Sequence, residues 1–174
     1  MEQSWEPFGS ARRLSEEAER PRRSAEAVAA AAAAAKRSAG AAGRGEGRGG
    51  AGAARPLSRT PAAKLVIVTC MDTRVDPLAA LGLSLGDANV IRNAGATISD
   101  DVLRSLRLSQ SVLGTRRALL IGHTDCAGFE SDAAAEASLR DGLRRIRGSS
   151  AVPDSFGLEA LMYDVRTGAL SPLS

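Results

Sequence analysis

Two cysteines and one histidine are the residues best suited to hold a metal, and they are the only residues of their kinds in the chain. His123 and Cys126 stand three positions apart, and Cys70 lies far upstream. Catalytic zinc sites use three ligands drawn from thiolate, imidazole and carboxylate, and leave a fourth position for water. The set therefore predicts a catalytic metal site. The alternatives are two small buried cysteines with an ordinary buried histidine, or a single disulfide.

A carboxylate and a guanidinium follow the first cysteine closely. Asp72 and Arg74 stand two and four positions after Cys70, on a loop where their heads can meet beside the metal. A bidentate pair between arginine and a carboxylate fixes the orientation of the carboxylate. We predict a functional pair at this place; the alternative is an ordinary solvated ion pair.

Short apolar runs lead into two of the predicted ligands. Residues 65–69 (LVIVT) and 118–122 (ALLIG) are typical of strands buried on both faces of a parallel sheet. Cys70 and His123 follow these runs directly. In open α/β sheets ligands bind at the carboxyl ends of the strands, so this edge is the expected place of the chemistry.

The remaining sequence alternates helical and extended patterns. We predict a short helix over Pro77–Leu81 ending at Gly82, a strand over 89–93, a helix from Ser99 closed by Gly114, a basic amphipathic helix over about 134–147, and a strand over 161–165 with a turn at 167–168. Such alternation is typical of right-handed βαβ units. The predicted fold is α/β, with an open, mostly parallel sheet flanked by helices.

The first third of the chain has a different composition. Residues 40–54 contain only Gly, Ala, Arg and one Glu, a low-complexity pattern whose burial cannot offset the entropy of ordering. We therefore expect a disordered or partly helical tail and linker over residues 1–54. Residues 55–174 are expected to form a zinc-binding catalytic domain.

Charge and hydropathy narrow the functional classes. The net charge of +3 arises in the N-terminal part, where arginines alternate with glutamates, and aromatic residues make up only 3% of the chain. This pattern does not favour nucleic-acid binding. No apolar run is long enough for a membrane span. The acidic opening residues favour a cytoplasmic protein; an organellar transit peptide is the alternative.

Three motifs, in this order, resemble the β-class carbonic anhydrases, in particular their small prokaryotic members. They are residues 70–74 (CMDTR), 90–96 (VIRNAGA) and 122–126 (GHTDC). Residues 163–168 (YDVRTG) are similar to the last strand and turn of that family. The chain departs from the family pattern after Cys126, where Ala127-Gly128 stands in place of the usual glycine.

The resemblance implies Zn²⁺ held by Cys70, His123 and Cys126, and interconversion of CO₂ and bicarbonate. It also implies two states for Asp72. In an open state Arg74 holds Asp72 off the metal, and the carboxylate accepts a hydrogen bond from zinc-bound hydroxide. In a closed state Asp72 is itself the fourth ligand.

The resemblance further implies a homodimer or a dimer of dimers. We expect the backbone around Gly95 and Ala96 to line the substrate pocket, since small residues permit close approach to a small substrate. Two thiolate ligands cancel the formal charge of the metal, so activity is expected to favour alkaline pH. Because His123 is committed to the metal, buffer, water or carboxylates such as Asp125 must accept the product proton.

Two other functions are compatible with these residues. A carbonyl sulfide or carbon disulfide hydrolase of the same fold would use the same metal chemistry on a molecule similar to CO₂. A non-catalytic zinc-binding protein is the second alternative. Asp72 and Arg74 argue against the latter, because a purely structural site needs neither.

Overall fold

A five-stranded sheet organises residues 58–173, the part of the chain that the computed structural model describes. The spatial order is β2-β1-β3-β4-β5; the first four strands are parallel, and the last pairs antiparallel with β4. The predicted mostly parallel sheet is thus confirmed. The predicted tail over residues 1–54 lies outside the described residues. The strands are β1 Leu65–Cys70, β2 Ala88–Asn93, β3 Arg117–His123, β4 Gly157–Tyr163 and β5 Leu170–Pro172.

The register of β1 and β3 brings their carboxyl ends to one edge. Leu65 pairs with Arg117 and Thr69 with Ile121. The Thr69 hydroxyl also donates a 2.9 Å hydrogen bond to the Ile121 carbonyl, so the only polar side chain of β1 before Cys70 is satisfied inside the core. All six residues of β1 are buried, as expected for a central parallel strand.

Three α-helices cover the sheet unequally. They are α1 Pro77–Leu81, α2 Asp100–Ser111 and α3 Asp132–Arg147, and their first turns are capped by the side chains of Asp76, Ser99 and Ser131. The larger core, on the face covered by α2 and α3, includes Val66, Leu106 and Leu139. Leu81 of α1 joins the smaller core on the other face. None of the helices in residues 58–173 is long and apolar enough to cross a membrane.

Several helices and strands begin or end at residues other than those predicted. Helix α2 ends at Ser111, and Gly114, with a φ of 70°, lies beyond it in the turn that leads to β3. Strand β4 begins four residues before its predicted start. It ends at Tyr163, because the Asp164 side chain accepts hydrogen bonds from the Arg166 and Thr167 amides and turns the chain away from the sheet. The three-residue β5 was not predicted.

Candidate metal centre

The three predicted ligands meet at the carboxyl edge of the sheet. Cys70 is the last residue of β1 and His123 the last of β3, while Cys126 lies in the loop that follows β3. Their ligand atoms all lie within 4.8 Å of one another, and all three residues are buried. The two sulfurs are 3.9 Å apart, and both cysteines are free rather than joined in a disulfide.

The hydrogen bonding of the His123 ring leaves one nitrogen available to a cation. Its Nδ1 lies 2.9 Å from the Thr124 carbonyl oxygen, which selects the tautomer with the proton on Nδ1. The buried Nε2 then carries a lone pair, and it has no hydrogen-bond partner within residues 58–173. A buried polar atom without a partner costs free energy that a metal bond would remove. His123 therefore fits the role of a metal ligand.

The chemistry of the sulfurs fits a soft or borderline cation. Burial, together with the adjacent Cys70, raises the pKa of the Cys126 thiol above its usual value. A divalent cation would reverse this shift, because it binds the thiolate form. Two thiolates and one imidazole form a donor set that zinc sites use, with a fourth position available.

The Asp72 carboxylate stands beside these ligands and is held by Arg74. The guanidinium Nε donates to Oδ1 at 3.0 Å and Nη2 donates to Oδ2 at 2.8 Å. The Arg74 backbone amide donates to Oδ1 as well, at 2.9 Å. These bonds hold the pKa of the Asp72 carboxyl well below its usual range and raise the pKa of Arg74 further. Asp72 is therefore ionised, with Oδ2 only 3.9 Å from His123 Nε2.

Arg74 also reaches the loop after β3, which carries Cys126. Its Nη1 donates to Asp125 Oδ2 at 2.7 Å, and its Nη2 donates to the Asp125 carbonyl oxygen at 2.9 Å. One guanidinium thus joins the loop after β1 to the loop after β3. The hydrogen bond from Arg74 lowers the pKa of Asp125, which makes this carboxylate a poor proton acceptor near neutral pH.

A second arginine fixes the loop that carries Asp72. Arg92, on β2, donates from Nε to the Cys70 carbonyl oxygen at 3.0 Å. Its Nη2 donates to the carbonyl oxygens of Asp72 at 2.7 Å and Val75 at 2.9 Å. Sequence reasoning placed Arg92 in a motif without a role, because its three partners are backbone atoms that no side-chain pattern reveals.

Gly95 lies beside Cys70, and Ala96 follows it. The Gly95 amide is 3.4 Å from the Cys70 sulfur, in donor geometry. A Cβ at Gly95 would come within 2.8 Å of two atoms of the Phe129 ring. Gly95 and Ala96 both have positive φ angles and both are buried. Lack of a side chain at Gly95 therefore allows the backbone to approach the sulfur and the aromatic ring together.

Comparison with known proteins matches this architecture. The family model described as carbonic anhydrase matches residues 65–154. β-Carbonic anhydrase 1 of Mycobacterium tuberculosis is 37% identical over 142 residues, which cover 68% of this chain and 87% of that protein. The chain belongs to the β-carbonic anhydrase family. The resemblance seen in the three motifs is thereby confirmed, and the chain is a carbonic anhydrase by descent.

Two further proteins are similar to this β-carbonic anhydrase over different lengths. The crystal structure of carbonic anhydrase from Streptococcus mutans superposes with a TM-score of 0.63 at 33% identity, covering 71% of this chain and 88% of that one. The carbon disulfide hydrolase of Saccharolobus solfataricus is 41% identical over 83 residues, which cover 47% of this chain and 41% of that protein. The match to the mycobacterial carbonic anhydrase thus spans far more of its partner than the match to the hydrolase.

Proposed function

We propose that this β-carbonic anhydrase catalyses the reversible hydration of CO₂ to bicarbonate and a proton, with Zn²⁺ held by Cys70, His123 and Cys126. The observation that supports it most is the buried, unpartnered Nε2 of His123, which faces two free thiols with an ionised Asp72 nearby. When bound, Zn²⁺ would lower the pKa of a coordinated water and so supply a nucleophile near neutral pH.

The proposed role of Asp72 is to orient the attacking oxygen. As an ionised carboxylate it can only accept hydrogen bonds, so it fixes where the nucleophile points its proton. It cannot also act as a general base, because Arg74 holds its pKa too low. Arg74 occupies Asp72 through both carboxylate oxygens and thereby keeps it from becoming a ligand itself.

The substrate needs a space beside the metal ligands, and the product proton needs an acceptor. We propose that the backbone of Gly95 and Ala96 lines the space for CO₂, since the Gly95 amide contacts the Cys70 sulfur and Ala96 is the next residue. The chain contains no second histidine, and Asp125 is already paired with Arg74. Buffer and water, rather than Asp125, are therefore the proposed acceptors of the product proton. Turnover should rise with the concentration of a buffer small enough to reach the site.

The test combines metal analysis with kinetics. Purified protein should contain close to one zinc per chain and hydrate CO₂ in a stopped-flow assay. Cys126→Ser should lose most of the zinc and the activity together, since a thiolate ligand supplies a large share of the metal-binding free energy. Full zinc content in Cys126→Ser would reject the ligand set, and zinc-loaded protein without CO₂ hydration would reject the reaction.

A second activity has support in one observation, the match to carbon disulfide hydrolases. Hydrolysis of CS₂ or COS would use the same residues on another linear three-atom substrate. We rank it below CO₂ hydration, because the matched region covers less than half of the hydrolase. Rate constants for CO₂, COS and CS₂ measured on one preparation would decide between them.

We also propose that the protein is a homodimer or a dimer of dimers, assembled through the side formed by β2 and α2. Within residues 58–173, β2 is an edge strand of the sheet. Val90 on this strand, Leu108 on α2 and Val112 at the end of α2 expose large apolar side chains. An open strand edge beside apolar surface favours pairing with another chain. Light scattering on the wild type should show an assembly larger than a monomer. Val112→Asp should weaken this assembly.

A further inference from the structure

The guanidinium of Arg74 has two carboxylate partners, and only one of them stands beside the metal ligands. Nε and Nη2 face Asp72, whereas Nη1 faces Asp125. The Arg74 side chain is 43% exposed, so solvent competes for its contacts. A flexible arginine in that position keeps one orientation only if both sides of the fork are held.

The Asp125 backbone is held in an uncommon conformation between two ligands. Its φ is 52°, in the left-handed region that non-glycine residues rarely adopt. The Asp125 amide donates a 2.8 Å hydrogen bond to the Asp132 carboxylate at the start of α3. The conformation turns both the carbonyl oxygen and the carboxylate of Asp125 toward Arg74. An unbroken series of contacts therefore runs from α3 through Asp125 and Arg74 to Asp72.

We propose that Asp125 is a positioning residue, one that anchors Arg74 and so keeps the Asp72 carboxylate out of the fourth coordination position of the metal. This inference rests on the proposed metal site. When the Asp125 carboxylate is neutralised, the guanidinium keeps its bonds to Asp72 and to the Asp125 carbonyl oxygen, but it loses the ionic contact at Nη1. Asp72 is then freer to turn toward His123, whose Nε2 is only 3.9 Å away.

The size of the effect follows from the exposure of the pair. The Asp125 side chain is 73% exposed, and exposed ion pairs are weak because water and salt screen them. We therefore expect the fraction of molecules with a free coordination position to fall roughly two- to fivefold in a neutralised variant, at low ionic strength.

The variant of choice is Asp125→Asn. Asparagine tolerates the left-handed conformation and keeps the backbone contacts, so the substitution removes the charge with little cost to folding. Asp101→Asn is the matched control, since Asp101 is also paired with an arginine at 2.8 Å and its side chain is 75% exposed. Asp101 lies in the first turn of α2.

The test uses the cobalt(II)-loaded protein, whose visible spectrum reports binding of azide at the free position. Asp125→Asn should weaken azide binding roughly two- to fivefold and lower kcat for CO₂ by a similar factor, whereas Asp101→Asn should change neither. In an Asp72→Asn background no carboxylate competes for the metal, so the added Asp125→Asn should leave azide affinity unchanged.

The outcomes separate this inference from the reaction assigned above. Equal azide affinity in wild type and Asp125→Asn would overturn it, as would the same loss with and without Asp72. Cobalt and azide binding do not depend on turnover, so a protein that fails to hydrate CO₂ would still answer the question. A chain that binds no cobalt at all would instead reject the metal site.

Discussion

At the scale of single residues, Arg74 is the side chain with the most consequences for the site. It contacts a carboxylate on each of two loops. In the proposed mechanism, its bonds to Asp72 decide whether that carboxylate orients a nucleophile or blocks it. Simple loss of a surface ion pair would change little, because exposed pairs are weak. The proposed mechanism predicts a large kinetic effect with a small effect on folding.

Arg74→Ala should retain its zinc and lose most CO₂ hydration, roughly 10²–10⁴-fold, the scale of a missing electrostatic or acid–base group. The measurement is the hydration rate against pH at equal zinc occupancy. Arg104→Ala, which breaks an exposed pair with Asp101 on α2, serves as the control and should remain active. Turnover of Arg74→Ala close to that of wild type would reduce the pair to an ordinary loop contact.

The residues that carry the site differ in how visible they are in the sequence. Cys70, His123 and Cys126 are predictable, because rare residue types fall at or just after the ends of apolar runs. The anchoring contact of Asp125 is not predictable, since it depends on a left-handed backbone angle and on a neighbour 51 positions away. The role of Arg92 is hidden for the same reason: it binds carbonyl oxygens across a strand pair.

At the scale of elements, α3 packs unusually close to the sheet at Gly142. A Cβ there would lie 2.8 Å from Cγ1 of Ile98 and 3.1 Å from Cδ2 of Leu120. Alanine has the higher helix propensity by about 1 kcal/mol, but overpacking costs about 1 to 3 kcal/mol. Packing should win, because both neighbours belong to the larger core.

Gly142→Ala should therefore destabilise the protein by up to about 2 kcal/mol in urea unfolding at constant zinc occupancy. Gly148→Ala provides the control, since Gly148 ends the same helix with a φ of −76°. The nearest atom that a Cβ at Gly148 would meet is the Arg144 carbonyl oxygen, at 3.4 Å. A gain in stability for Gly142→Ala would show that the helix can move away from the sheet.

The turn between β4 and β5 gives a pH-dependent prediction. Hydrogen bonds from the backbone, above all from the Arg166 amide, lower the pKa of Asp164. A carboxyl with a lowered folded-state pKa stabilises the fold above its unfolded pKa, near 4, and this contribution is lost as the pH falls below that value.

Asp164→Asn keeps an oxygen acceptor but cannot ionise. The wild-type advantage in unfolding free energy should thus be constant above about pH 5 and shrink below about pH 4. Denaturant unfolding at a series of pH values measures it. An advantage that did not change between about pH 3 and about pH 7 would contradict the assigned cause.

Elements are predictable to different degrees for physical reasons. β1 and β3 have continuous apolar runs, and α1 has Pro77 at its start and Gly82 after its end, so their bounds follow from local signals. β4 begins among polar and small residues, and its first residues are extended because they pair with β3. β5 has only three residues, and its pairing with β4 is set by the turn at Asp164.

At the scale of the whole molecule, residues 58–173 contain a core on each face of the sheet. Buried apolar residues run from Ala63 to Met162, and they account for both faces of the sheet. The sequence of residues 1–54 offers no apolar stripe that a folded domain would need. We propose on this basis that residues 55–174 are the catalytic domain.

Deletion of residues 1–54 should leave zinc content, the urea midpoint and CO₂ hydration unchanged, because none of the core residues described above is removed. The full-length protein under the same conditions is the reference. A truncated protein that is insoluble or short of zinc would show that the N-terminal part belongs to the folded unit.

The pairing of β1 with β3 also has a meaning in terms of chain entropy. Cys70 and Cys126 are 56 positions apart, and closing a loop of that length costs an unfolded chain about 4 kcal/mol. In the folded protein the sheet has already closed this loop through the register of β1 and β3. Metal affinity and sheet stability are therefore linked quantities: a substitution that loosens these strands, even far from the sulfurs, should also weaken the binding of zinc.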